Sequence, residues 1–319
     1  MADILCFGDL LIDFVPLESG LPLADVPAFK KAPGGAAANV AVGLSRLGVK
    51  SAFMGKVGDD PFGHFLKRTL EDEGVDTTPM RLDGRARTAL AFVTLEASGE
   101  RDFLFYRHPS ADMLFVPDEV DRNAIERASV FHFDSISLAA EQPRQTALFA
   151  ADHARSLGRT ISYDVNLRLP LWSSADEAKR GILAGLSRAH VVKLSDDELE
   201  FMTGRRDPAA IREHLWHDGL KLAVLSLGGA GSVLLTADGE DHVPSIAVTP
   251  VDTTGAGDGF VAGLLAAIHA SPEIFADRTK LVEAARFANA VGALTTTERG
   301  AIPALPSRSQ VETALGALS

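Results

Sequence analysis

Short runs rich in β-branched and aromatic residues alternate along the chain with longer segments whose apolar positions recur every three or four residues. "ILCFGDLLIDF" (4–14), "SAFMGKVG" (51–58), "TISYDVN" (160–166), "HVVKLS" (190–195) and "KLAVLSLGG" (221–229) read as strands, and residues 36–47 and 61–73 as helices. This alternation predicts an α/β fold: a largely parallel sheet with helices on both faces. Residues 88–107, "TALAFVTLEASGERDFLFYR", break the rhythm, because two strand-like runs flank "ASGE" and read as a hairpin. Its alternation leaves one face apolar. Joined by residues 13–32, it would make either a flap that closes over a substrate or an ordinary edge hairpin. No internal repeat, low-complexity tract or linker divides the chain.

Phe260, Val261, Leu264, Leu265 and Ile268 have the spacing of a buried helix, which places "VDTTGAGDGF" (251–260) at its amino end. There the first N–H groups lack intrahelical partners and the helix dipole favours an anion. Gly255, Ala256 and Gly257 let a phosphoryl group approach the backbone without a side-chain clash. Asp258 then has two readings, a first-turn carboxylate favoured by the dipole or a general base for an attacking hydroxyl. A cap alone does not need three small residues in a row, so the base is the preferred reading. The G-x-x-x-x-G-K-[ST] motif is absent, and "GAGDGF" lacks the third glycine of a dinucleotide fingerprint, which counts against an NAD-dependent oxidoreductase.

Composition narrows the classes further. With 319 residues and 46% hydrophobic content the chain can bury a deep core. A net charge of −12 opposes nonspecific binding to nucleic acid or an anionic membrane, so an anionic ligand must meet a local positive field. The lone cysteine, Cys6, excludes an intramolecular disulfide and reads as a core thiol, compatible with a reducing cytoplasm. No apolar stretch approaches the ~18 residues of a membrane span, and the amino terminus reads as free of a leader, so a soluble cytoplasmic protein is expected.

"PGGAAANVAVGLSRLG" (33–48) and "DTTGAGDGFVAGLL" (252–265) together resemble the two signature motifs of the PfkB, or ribokinase-like, carbohydrate kinases. The likeness extends over nearly the whole chain and is closest to the fructokinase subgroup, through "PAFKKAPGG", "RTALAFVTL", "FYRHPSADMLF", "LRLPLW" and "VVKLSDDELEFMTG". The resemblance implies a three-layer α/β/α sandwich with a small β-sheet lid, formed here by about 13–32 and 88–110 within one domain. It also implies ATP and Mg2+, with K+ as a further cation, and a homodimer paired through the lid. The activity it implies is ATP-dependent phosphorylation of fructose at the 6-hydroxyl. A kinase of the same fold acting on 2-keto-3-deoxygluconate or ribose is the alternative, followed by a sugar-binding regulator without catalysis.

Carried over by motif position, the resemblance makes Asp258 the base and Gly255, Ala256 and Gly257 the anion hole. Gly34 and Gly35 would let sugar hydroxyls approach the backbone, and Asn39 offers both a donor and an acceptor. Asp9 and Asp13 lie four residues apart; in one extended strand they would share a face, and two acids on a core face need polyol hydroxyls or cations. Arg107, at the end of the flap, is a candidate sugar contact, and Arg168 in "DVNLRLPLW" is implied by the resemblance to face the phosphoryl site. Lys193, Ser226, Gly228, Gly231 and Asn289 are implied for the nucleotide. Glu198 in "SDDELE" is implied for magnesium through water, while the same stretch also reads as a helix start capped by Ser195. Asp252, Thr254, Thr295, Glu298 and Gly300 match a potassium site in relatives, with Ala304 replacing a hydroxyl ligand found in some of them.

Overall fold

The structure is a computed structural model that describes residues 2–18, 20–95, 101–271 and 273–317. Its strands are β1 (Ile4–Phe7), β2 (Leu11–Pro16), β3 (Phe29–Gly34), β4 (Ser51–Met54), β5 (Lys56–Gly58), β6 (Arg81–Asp83), β7 (Leu90–Leu95), β8 (Arg101–Tyr106), β9 (Val130–Asp134), β10 (Thr160–Asp164), β11 (Val191–Ser195), β12 (Leu222–Ser226), β13 (Ser232–Thr236) and β14 (Gly239–Val243). The α-helices are α1 (Ala36–Arg46), α2 (Pro61–Asp72), α3 (Arg122–Arg127), α4 (Glu141–Ser156), α5 (Ala175–Leu186), α6 (Asp196–Thr203), α7 (Ala209–His214), α8 (Ala256–Ala270), α9 (Arg278–Thr295) and α10 (Arg308–Gly316).

Eight strands form the central sheet in the order β14-β13-β12-β11-β10-β9-β1-β4. It is parallel from β4 to β12 and antiparallel across the β12-β13-β14 meander. Successive side chains point to opposite faces, so each strand feeds two cores. Ile4 and Cys6 join the apolar cluster containing Val40, Leu44, Leu264 and Val291 on the α1, α8 and α9 side. Leu5 and Phe7 join Ala147, Ala150, Ile182 and Leu186 on the α4 and α5 side. The result is a three-layer α/β/α sandwich. Cys6 is fully buried in it, and burial pushes its thiol far above the ordinary range.

The run 4–14 does not stay in one sheet. β1 ends at Phe7, the chain turns through Gly8, Asp9 and Leu10, and β2 enters a second, four-stranded sheet ordered β3-β2-β7-β8. Gly8 marks the turn because a Cβ there would stand 2.7 Å from Ala37 Cβ at the start of α1. Asp9 and Asp13 therefore do not share a strand face: Asp9 sits in the turn and Asp13 within β2. The second sheet holds together through Phe14 stacked on Phe92, with ring centroids 4.9 Å apart, and Phe29 set edge-on to both. Phe14 also meets Phe62 of α2, which ties this sheet to the main body. The turn expected at "ASGE" lies outside the described residues except for its flanks.

Candidate active site

In an open parallel sheet, ligand-binding side chains gather beyond the carboxyl ends of the strands. Here Asp9 follows β1, Asp134 ends β9, Asp164 ends β10, and Lys193 and Ser195 close β11. The amino end of α8 meets the same edge. Gly255 adopts the left-handed conformation, with φ 79°, and a Cβ there would stand 2.8 Å from Ala301 Cβ. No described side chain caps α8; the Ala256 N–H turns back to Thr253 O at 3.2 Å, and the N–H groups that follow it in the first turn are left without a side-chain acceptor.

Asp258 lies in the first turn of α8, where Oδ2 accepts a 2.8 Å hydrogen bond from Asn39 Nδ2 on α1. Burial pushes its carboxyl above the ordinary range, while Asn39, Arg168 and Lys193 hold it back. The Lys193 ammonium stands beneath Gly257, where a Cβ would come within 3.2 Å of Nζ, and donates to both oxygens of Asp164 at 3.1 and 3.3 Å. Burial disfavours that charge, but Asp164 and Glu198 outweigh it and hold the lysine pKa above its usual value. Burial pushes Asp164 up to about 7 against the pull of Lys193. Arg168 is half-buried, gives one hydrogen bond to Leu167 O, and its charge acts on Asp258.

The glycine turn lies alongside. A Cβ on Gly34 would overlap the Asp13 carboxylate at 2.2 Å, and one on Gly35, at φ 115°, would overlap the Asp9 carbonyl at 2.4 Å. The backbone here thus approaches both acidic residues more closely than any side chain would permit. Burial pushes Asp9 up to about 6, the Arg107 guanidinium opposing. Arg107 is itself buried and gives two hydrogen bonds to Asp112 Oδ2, one from Nε at 2.9 Å and one from Nη2.

Glu198 closes a capping box on α6: its N–H donates to Ser195 Oγ, and its Oε2 accepts from Ser195 N at 2.7 Å. Its Oε1 accepts from Leu167 N at 2.8 Å, which fixes the loop that carries Arg168. Among the described residues no three His, Cys, Asp or Glu side chains converge as a metal cage. The remaining positions divide. Ser226 donates to Leu194 O, Gly228 has φ 55°, and Gly231 is required by the Val243 carbonyl, 2.1 Å from where its Cβ would stand. Asn289 is buried and donates to Val243 O. The Asp252 carboxylate accepts from Thr254 N and Gly300 N, drawing those three together, and Thr254 Oγ1 is buried without a hydrogen-bond partner. Thr295 instead donates to Val291 O inside α9 and packs on Gly259, and Glu298 is exposed.

A family model described as pfkB family carbohydrate kinase matches residues 1–308. The chain belongs to this family. It is a sugar kinase of the ribokinase-like fold. It is 53% identical to probable fructokinase-7 of Arabidopsis thaliana over 97% of this chain and 91% of that one. It is 51% identical to fructokinase-1 of Zea mays, over 97% and 96% of the two chains. Among solved structures, Xylella fastidiosa fructokinase with bound ATP superposes with a TM-score of 0.91 at 33% identity, covering 100% of this chain and 99% of that one. Vibrio cholerae O395 fructokinase with fructose, ADP and calcium superposes with a TM-score of 0.87 at 35% identity, covering 99% of each chain.

Asp134 and Asp164 escaped the sequence analysis. Both are buried, and burial pushes Asp134 well above the ordinary range with Asp9 adding to the effect. Their signal was present: "VFHFD" and "TISYD" are apolar strand runs that end on an acid at the ligand-binding edge of an α/β sheet.

Proposed function

We propose that this kinase transfers the γ-phosphoryl group of ATP to the 6-hydroxyl of fructose, giving fructose 6-phosphate and ADP. The reading rests on the 2.8 Å bond between Asn39 and Asp258, which joins the two signature stretches at the open end of a helix. Asp258 accepts the proton of the 6-hydroxyl as its oxygen attacks the phosphorus in line. The amino end of α8 around Gly255, Ala256 and Gly257 receives the phosphoryl oxygens, the Ala256 N–H being shared with Thr253 O, and Arg168 and Lys193 balance their charge. Asp13, Gly34, Gly35 and Asn39 bind the sugar hydroxyls, which orients the 6-hydroxyl toward the base.

The residues present fit a magnesium ion carried by phosphates and water, because Glu198 is held rigidly at the edge and, among the described residues, no all-protein cage competes for it. Glu198 would hold that ion through its water, and the ion would neutralise phosphate charge. The partnerless Thr254 Oγ1, drawn beside Asp252 and Gly300, fits a potassium ion at that loop. The β3-β2-β7-β8 sheet serves as a lid that closes over the sugar and excludes water. An acidic sugar is disfavoured, because Arg107, the cation whose charge acts on Asp9, already pairs with Asp112.

The deciding experiment is coupled ADP release over fructose, 2-keto-3-deoxygluconate and ribose, with the product's phosphate position read by NMR. Fructose should show the highest kcat/KM and carry phosphate on carbon 6. A higher kcat/KM for either competitor, or phosphate on another carbon, overturns the proposal.

A further inference from the structure

Beside Asp9 lies a small cavity of about 20 Å³, room for one water-sized group, lined by Gly8, Asp9, Lys56, Arg107, Asp112 and Ser137 among others. Two of these residues carry a buried polar atom without a hydrogen-bond partner: Asp9 Oδ1 and Ser137 Oγ. An orphaned buried acceptor or hydroxyl is costly, so a pair of them beside one cavity points to a hydroxyl-bearing occupant. The cavity's cations are already matched. Lys56 Nζ is engaged by Asp83, Glu119 and Leu114 O, and Arg107 by Asp112. A neutral, hydrogen-bonding group suits such a wall, and a carboxylate facing Asp9 does not.

The direction of the cavity follows from the glycine turn. Asn39, in the first turns of α1, bonds Asp258, while Gly35, which precedes the helix, abuts the Asp9 carbonyl. A ketohexose lying along this turn with its 6-hydroxyl at Asp258 extends its opposite end, the carbon-1 hydroxymethyl, toward Asp9. We propose that the cavity is the carbon-1 subsite, and that Ser137, in the 3-10 turn Ser135–Leu138 that follows β9, is a specificity-determining residue that hydrogen-bonds the 1-hydroxyl together with Asp9. This rests on the fructose reading above, which it deepens. The neutral hydroxymethyl of a ketose is accepted, and a sugar acid with a carboxylate at carbon 1 is rejected.

The test is a chemical double-mutant cycle using D-fructose and 1-deoxy-D-fructose on the wild type and on Ser137→Ala, with a melting curve for each protein. Loss of one neutral hydrogen bond should lower the ratio of kcat/KM for fructose over 1-deoxyfructose roughly fivefold in the variant. An unchanged ratio overturns the subsite. Calorimetric binding of the two sugars to both proteins reads the same selectivity without turnover. A wild type that turns over no ketohexose therefore sinks the fructose reading alone, and the binding ratio still decides the subsite. Ser137→Thr, which keeps a hydroxyl, should restore part of the ratio; if it behaves as Ser137→Ala does while melting normally, the proposal fails.

Discussion

Asp258 draws its chemistry from two opposed effects on one carboxyl. Burial raises its proton affinity, and the Asn39 donor, with Arg168 and Lys193, preserves the ionised form that a base requires. Asp258→Asn should lower turnover at least about a hundredfold with little change in melting temperature, since the amide keeps the shape and loses the base. Asn39→Ala removes a bond that favours the carboxylate, so the acid limb of the kcat/KM profile should move to higher pH; a limb that stays in place disconnects Asn39 from the base. Asp9 makes a separate prediction about stability. Its carboxyl binds a proton up to about pH 6 when folded and only to about 3.8 when unfolded. The native state therefore binds more protons in that window, and stability falls as pH rises through it. Asp9→Asn should melt above the wild type at pH 8, with the difference vanishing near pH 4. At this scale the glycine-flanked base was legible because the demand for an approachable helix end is local. The paired reading of Asp9 and Asp13 failed because Gly8 turns the chain out of its strand, a consequence of the distant Ala37 packing on it. Asp134 and Asp164 went unnoticed because one acid closing an apolar run has no local mark until neighbouring strands bring several together.

Elements were easier to read than their assignment to sheets. Period-two runs marked the central strands and period-3.6 runs marked α1, α2 and α8, but nothing in 4–14 announced that its two halves belong to different sheets. What aligns the reacting side chains is the close approach of α1 to α8. A Cβ on Gly43 would stand 2.7 Å from Ala262 Cβ, and one on Gly263 would stand 2.9 Å from Ala288 Cα in α9. Such contacts let the helices pack nearly backbone to backbone. Gly43→Val should force α1 from α8, costing about 1 to 3 kcal/mol and stretching the Asn39–Asp258 bond, so activity should fall by more than the melting shift accounts for. Equal losses in both measurements would show that the helix spacing serves stability alone.

On the scale of the whole molecule, the crevice opens where the strand ends of the main sheet face the smaller sheet. That smaller sheet leaves Leu104 47% and Tyr106 58% exposed on its edge strand β8. An uncovered strand edge bearing apolar side chains is a template for pairing with another copy. Sedimentation at micromolar concentration should give a dimer, and replacing Leu104 and Tyr106 by Lys should shift it toward monomer with both signature stretches intact. A wild-type monomer at that concentration removes pairing through the lid.

The bond between Asn39 and Asp258 spans 219 positions of the chain. As translation proceeds at roughly 5 to 20 residues per second, α1 leaves the ribosome some 10 to 40 s before its partner helix exists. Through that interval Val40, Ala41, Val42 and Leu44 can pack on β1 and β4 but lack the α8 and α9 side chains that complete their cluster. Catalytic competence is thus one of the last properties the nascent polypeptide acquires, and a chain cut short before residue 256 lacks both the helix that α1 packs on and the proton acceptor.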